Sequence, residues 1–154
     1  MPNVMIPPID ELRARCQKPL AYERLQYARF TRRYSIYLTW VLLHTPVTPN
    51  QVTVIQLLCY VAGSAMIAIG SMWWLIAGLV FLHVGYALDC VDGEIARFRE
   101  IASRMGVFLD SFTHVFTIPL IIFAFSWHVF ATAPFGTWPL LVGFFTATLS
   151  ISPA

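Results

Sequence analysis

The sequence predicts an all-α integral membrane protein, with an amphipathic juxtamembrane helix, three full transmembrane helices and a partial fourth. Three observations predict it. Apolar residues make up 58 % of the 154 and charged residues only 12 %, against about half and about a quarter in a soluble domain. Residues 34–88 and 111–154 contain no Asp, Glu, Lys or Arg. Eight of the 18 charges fall within residues 89–110, and the other ten precede residue 34. Long uncharged blocks around one charged cluster are the layout of a multi-pass chain. This composition, with an aromatic share of 15 %, argues against a soluble globule, a disordered tail or a nucleic-acid binder, and the net charge of +2 decides nothing.

The chain divides into a cytoplasmic N-terminal region, 1–46, and a membrane domain, 47–154. In the first, Tyr22 to Tyr34 interleaves aromatic and basic residues. Tyr27, Phe30 and Tyr34 form a stripe, Arg29, Arg32 and Arg33 lie between them, and Arg24 precedes them. This reads as a helix on the membrane surface, with aromatics at the headgroups and arginines toward anionic lipid phosphates. The opening residues do not read as a signal peptide, because Pro7, Pro8 and a charged stretch stand where an apolar core is expected.

The first span, about 49–70, opens on Thr48-Pro49-Asn50-Gln51. Thr48 is the expected N-cap, Pro49 the first helical residue and Gln51 the capping-box partner. The second span, about 72–97, runs from an apolar stretch into the charged cluster. The third covers about 103–131, and Pro134, Gly136 and Pro139 break the chain before a fourth segment at 139–154. That last segment is shorter than the roughly 20 residues a span needs, so the chain is expected to be a fragment of a longer protein. Both basic regions are expected on the cytoplasmic side of an inner or plasma membrane. Trp73, Trp74, Trp127 and Trp138 lie near the span ends and read as an aromatic belt. Cys16, Cys59 and Cys90 read as free thiols. His44, His83 and His128 read as structural.

The charged cluster carries the chemistry. Asp89, Asp92 and Ala96 follow at i, i+3 and i+7, on one helix face with Gly93 beside them. Gly106, Asp110 and His114 follow at steps of four, again on one face. One hairpin therefore presents Asp89, Asp92, Asp110 and His114 toward a common point. Ionised carboxylates at membrane depth are costly unless paired or bound to a cation. Oxygen-rich ligation suits Mg²⁺ or Mn²⁺. Gly93 and Ala96 leave room for a phosphate or nucleotide, and Arg97 supplies positive charge beside them. The plainer alternative is a charged helix end with intrahelical pairs, Glu94 with Arg97 and Glu100 with Arg104. The second of those pairs is expected.

The run Asp89-Cys90-Val91-Asp92-Gly93-Glu94-Ile95-Ala96-Arg97, followed by Gly106, Asp110 and His114, resembles the signature of the CDP-alcohol phosphotransferase family. That pattern is Asp-x2-Asp-Gly-x2-Ala-Arg-x8-Gly-x3-Asp-x3-Asp, and seven of its eight specified positions match at the right spacing. The resemblance implies a six-helix membrane transferase, usually a homodimer. It would move a substituted phosphate, probably phosphatidyl, from a CDP-linked lipid donor to a small alcohol acceptor and release CMP, in phospholipid biosynthesis. It also implies two divalent ions, held by Asp89, Asp92, Asp110 and the residue at position 114. Gly93, Ala96, Arg97 and Gly106 would contact the nucleotide and its phosphates, and Ser103, Asn50 and Thr53 stand where family members also touch the donor. The eighth position is His114 where the family has Asp. Imidazole serves either as a general base near neutral pH or as a metal ligand. The substitution leaves open a second reading, a catalytically impaired member that binds metal or nucleotide as a membrane subunit.

Overall fold

Thr48 caps a helix as its sequence context predicts. Its side chain accepts from Gln51 N at 3.3 Å, and Gln51 Oε1 accepts from Thr48 N at 2.9 Å, closing a capping box ahead of Pro49. The computed structural model describes residues 6–17, 26–101 and 103–151. In chain order the helices are α1 (Ile9–Cys16), α2 (Gln26–Leu43), α3 (Pro49–Ala68), α4 (Met72–Phe98), α5 (Arg104–Thr132) and α6 (Trp138–Ile151). No strand occurs among the described residues.

Helices α3, α4 and α5 have 20, 27 and 29 residues and are long and apolar enough to cross a membrane, while α6 is a shorter apolar helix. At about 1.5 Å per residue the first three reach or exceed a hydrocarbon core of about 30 Å. Their outward faces carry large apolar side chains, among them Leu58, Val80, Val107 and Phe116. That is the expected surface when lipid rather than water is the solvent. Trp73 and Trp138 are 82 % and 72 % exposed at the starts of α4 and α6. They lie toward the same end of the bundle, because α3–α4 and α5–α6 are successive hairpins.

Two glycines set the α3–α4 crossing. A Cβ at Gly78 would stand 2.7 Å from the Gly63 carbonyl oxygen and 2.6 Å from Ile67 Cγ1. Backbone against backbone cannot yield unless the helices part, and close approach through small residues is how helices associate in lipid. Gly78→Val is therefore expected to destabilise the protein by about 1–3 kcal/mol, in the range of core overpacking. A lowered thermal midpoint in detergent would register it. Unchanged stability would show that the crossing is looser than this contact requires.

The juxtamembrane helix differs from its expectation in two ways. It runs on to Leu43, well past Tyr34, and residues 22–25 of the expected segment lie outside the described residues. Two of its three aromatics also turn to protein. The hydroxyls of Tyr27 and Tyr34 bond to the two ring nitrogens of His83 on α4, and Phe30 remains 60 % exposed. His128 Nδ1 meets the Ile67 carbonyl at 3.0 Å and His44 Nδ1 the Trp40 carbonyl at 2.8 Å, so these three histidines all have structural contacts.

Helix α1 was not anticipated. It packs on α2 and α4 through Leu12 and Cys16, both fully buried with Ile36, Val91 and Ile95. The turn after α4 was not anticipated either. Glu100 adopts φ 54° and α5 starts at Arg104. Glu100 and Arg104 therefore share no helix, and the expected intrahelical pair does not form. Arg99 instead donates to the carbonyls of Val47 and Thr45 at 2.6 and 2.9 Å, tying the α4 terminus to the loop ahead of α3.

Candidate metal and substrate site

The last three turns of α4 and the first three of α5 face each other beside the N-terminal end of α3. Between them lies a cleft of about 380 Å³. Every residue singled out in the sequence lines it: Asn50 and Thr53 on α3, Asp89, Asp92, Gly93, Ala96 and Arg97 on α4, and Ser103, Gly106, Asp110 and His114 around the start of α5.

Three of these converge. Ligand atoms of Asp89, Asp110 and His114 all lie within 4.8 Å of one another. His114 Nε2 is 3.4 Å from Asp89 Oδ1 and 3.4 Å from Asp110 Oδ1. The sequence placed Asp92 at the same point, and the structure sets it to one side. Asp92 is 8 % exposed, and Thr53 Oγ1 lies 2.6 Å from its Oδ2 as donor. Thr53 thus acts on a cluster residue as well as approaching the Pro49 carbonyl one turn back at 3.1 Å. Two carboxylates at this separation fit a divalent cation such as Mg²⁺ or Mn²⁺, with the imidazole beside them as a further ligand or a base and Asp92 within the same cleft.

Around the cluster, two glycines let polar groups approach the helices closely. A methyl at Gly93 would stand 3.3 Å from Arg97 Nη1, so the guanidinium lies over this glycine. A methyl at Gly106 would meet Asn50 Oδ1 and Ser103 Oγ, each at 3.3 Å. Ser103 caps α5, accepting from Gly106 N at 3.0 Å. Arg97 is fixed from behind, since its Nε donates to the Cys16 carbonyl of α1.

Sequence reasoning missed three residues here. Gln56 is fully buried in α3 and donates from Nε2 to Asp89 Oδ1 at 2.9 Å. Its signal was a polar stripe within an uncharged span, Thr53, Gln56, Tyr60 and Ser64, at helical spacing. Arg32 of α2 also lines the cleft. Glu94 is the third. It does not pair with Arg97 but points to the opposite side of α4, fully buried, where Gln17 and Ser35 donate to Oε1 at 2.8 Å each and Thr39 to Oε2. One carboxylate thus joins α1, α2 and α4.

Burial, and next the Glu94 charge, push the thiol of nearby Cys16 up, so it is neutral and unreactive at neutral pH. Glu94→Ala would remove the acceptor of the buried Ser35 and Thr39 hydroxyls and one acceptor of half-buried Gln17, and an unmet buried donor costs about 1–3 kcal/mol. The expected result is release of α1. In a protein whose Cys59 and Cys90 are replaced by alanine, maleimide should label Cys16 faster after the change. Continued protection would show that apolar packing alone holds α1.

No curated protein matches the chain. The family model described as CDP-alcohol phosphatidyltransferase matches residues 46–152, a segment that contains α3 to α6 and all the cleft residues on them. A helical membrane bundle, an acidic cleft at one end of its long helices and this match agree, and the chain belongs to the CDP-alcohol phosphatidyltransferase family.

Proposed function

We propose that the protein transfers a phosphatidyl group from a CDP-linked lipid, CDP-diacylglycerol, to the hydroxyl of a small alcohol, with release of CMP, in phospholipid synthesis. The observation that carries this reading is the convergence of Asp89, Asp110 and His114 inside a cleft that also holds Arg97 and Gly93. Asp89, Asp92 and Asp110 would hold Mg²⁺ or Mn²⁺, as two ions, and such ions offset the charge on phosphates when bound.

The chain's own residues do the remainder. Arg97, braced at Nε by the Cys16 carbonyl, directs its terminal nitrogens over Gly93, where a diphosphate can approach the helix. Asn50 and Ser103 border Gly106 and would contact the nucleotide end. His114 Nε2 takes the proton of the acceptor hydroxyl. A nitrogen bound to metal has no lone pair for a proton, so this proposal gives Nε2 the proton and leaves the cation to the carboxylates. The N-terminus and the cleft face the cytoplasm in this reading, and the working unit is a homodimer.

The test is transfer by the full chain in lipid nanodiscs. Radiolabelled CDP-diacylglycerol and Mn²⁺ would be supplied with a panel of alcohols. CMP release that requires both metal and one alcohol supports the proposal. Donor binding with no CMP release under any alcohol would favour the metal- and nucleotide-binding subunit.

A further inference from the structure

Helix α2 presents Ala28, Arg32, Ser35 and Thr39 along one face, at steps of four, three and four. Ala28 is 3 % exposed, and Ser35 and Thr39 are fully buried against Glu94. Gln17 Nε2 also donates to the Arg32 carbonyl at 2.5 Å, so the backbone at Arg32 is pinned by the same network. This face is the one turned to α4. The Arg32 side chain accordingly lines the cleft with Asp89 and Gly93, and it interacts electrostatically with Asp89. An arginine serving only as a surface anchor extends its head into the headgroups. Arg32 reaches the other way.

The cleft thus contains two guanidiniums, from different helices. Arg97 lies over Gly93. Arg32 approaches from α2, outside the matched segment 46–152. A guanidinium presents a planar fork of donors suited to phosphate oxygens. We infer that Arg32 is a substrate-binding residue that holds an anionic phosphate oxygen in the cleft. The inference rests on the transferase reading above. The phosphate belongs either to the donor's diphosphate or to a phosphate carried by the acceptor.

Two binding measurements on the full chain in nanodiscs with Mn²⁺ separate these sources, one with CDP-diacylglycerol and one with inorganic phosphate. Arg32→Gln is expected to raise the Kd of one probe by about 10- to 100-fold, the range for a charge-assisted hydrogen bond. Arg32→Lys should lose less. Loss with CDP-diacylglycerol assigns Arg32 to the donor, and loss with phosphate assigns it to the acceptor. Unchanged Kd for both probes overturns the inference, while the transferase reading stands on the wild-type donor binding. If the wild-type chain fails to bind CDP-diacylglycerol, the transferase reading falls, and the phosphate measurement still reports on Arg32. Cys16 protection serves as the packing control. If Arg32→Gln makes Cys16 reactive, the loss comes from displaced helices and the inference is overturned.

Discussion

Asp89→Asn is expected to lower the transfer rate by on the order of 10³. The change keeps shape and removes charge. Asp89 Oδ1 is the oxygen that faces His114 Nε2 at 3.4 Å and accepts from Gln56 at 2.9 Å. Gln56 is fully buried, so its amide already takes part in orienting this carboxylate. A metal's electrostatic contribution to such a reaction is several kcal/mol, and each 1.4 kcal/mol is a factor of ten. Weakened metal binding has its own signature. Activity of the variant should rise with Mn²⁺ concentration over a range where the wild type is saturated. Asp110→Asn should behave alike, because Asp110 lies at the same 3.4 Å from the imidazole. Wild-type rates with wild-type metal dependence would remove Asp89 from the site.

His114→Ala is expected to cost on the order of 10²–10⁴ in turnover, the range for loss of a general base. His114→Asp is the informative partner. It restores the residue that the family pattern specifies at this position and should keep much more activity than alanine. The donor Kd should change little in either variant, since His114 is assigned to the acceptor's proton. A large loss of metal affinity in His114→Ala, with rate restored by added Mn²⁺, would instead make His114 a ligand. Full activity of His114→Ala would leave the histidine a packing residue.

The spans were legible because membrane solvation writes itself into composition. Residues 34–88 and 111–154 carry no formal charge, and the helices end close to where charge or Pro and Gly return. The Thr48 cap was legible because a capping box is local. The facing of Asp89, Asp110 and His114 followed from helix periodicity together with the reading of α4 and α5 as one hairpin. Glu94 shows where this ends. Read locally, it has Arg97 three residues away. Its real partners, Gln17, Ser35 and Thr39, lie 77, 59 and 55 residues back. None of them looks unusual on its own helix. Arg32 was hidden in the same way. Within 22–34 it is one of several arginines, and only the packing of α2 on α4 brings it to the cleft. Spacing put Asp92 on the face of Asp89, but its hydrogen-bond partner, the Thr53 hydroxyl, is on another helix and could not be read from that spacing.

The Gln17–Glu94 and Cys16–Arg97 contacts also impose an order in time. They join residues 77 and 81 positions apart. At a synthesis rate of about 5–20 residues per second, α1 leaves the ribosome roughly 4–16 s before its counterpart on α4. Throughout that interval Leu12 and Cys16 have no α4 to cover them. The membrane surface is the natural holding place for such a segment, since its neighbour α2 carries Phe30 and Tyr37 on an outward face. Maturation of the cleft is therefore a late event. Arg97 gains its brace only when an early-made segment is recaptured by a late-made helix. A nascent chain stalled before residue 94 would already contain α1, α2, α3 and most of α4, yet it would lack the carboxylate that gathers them.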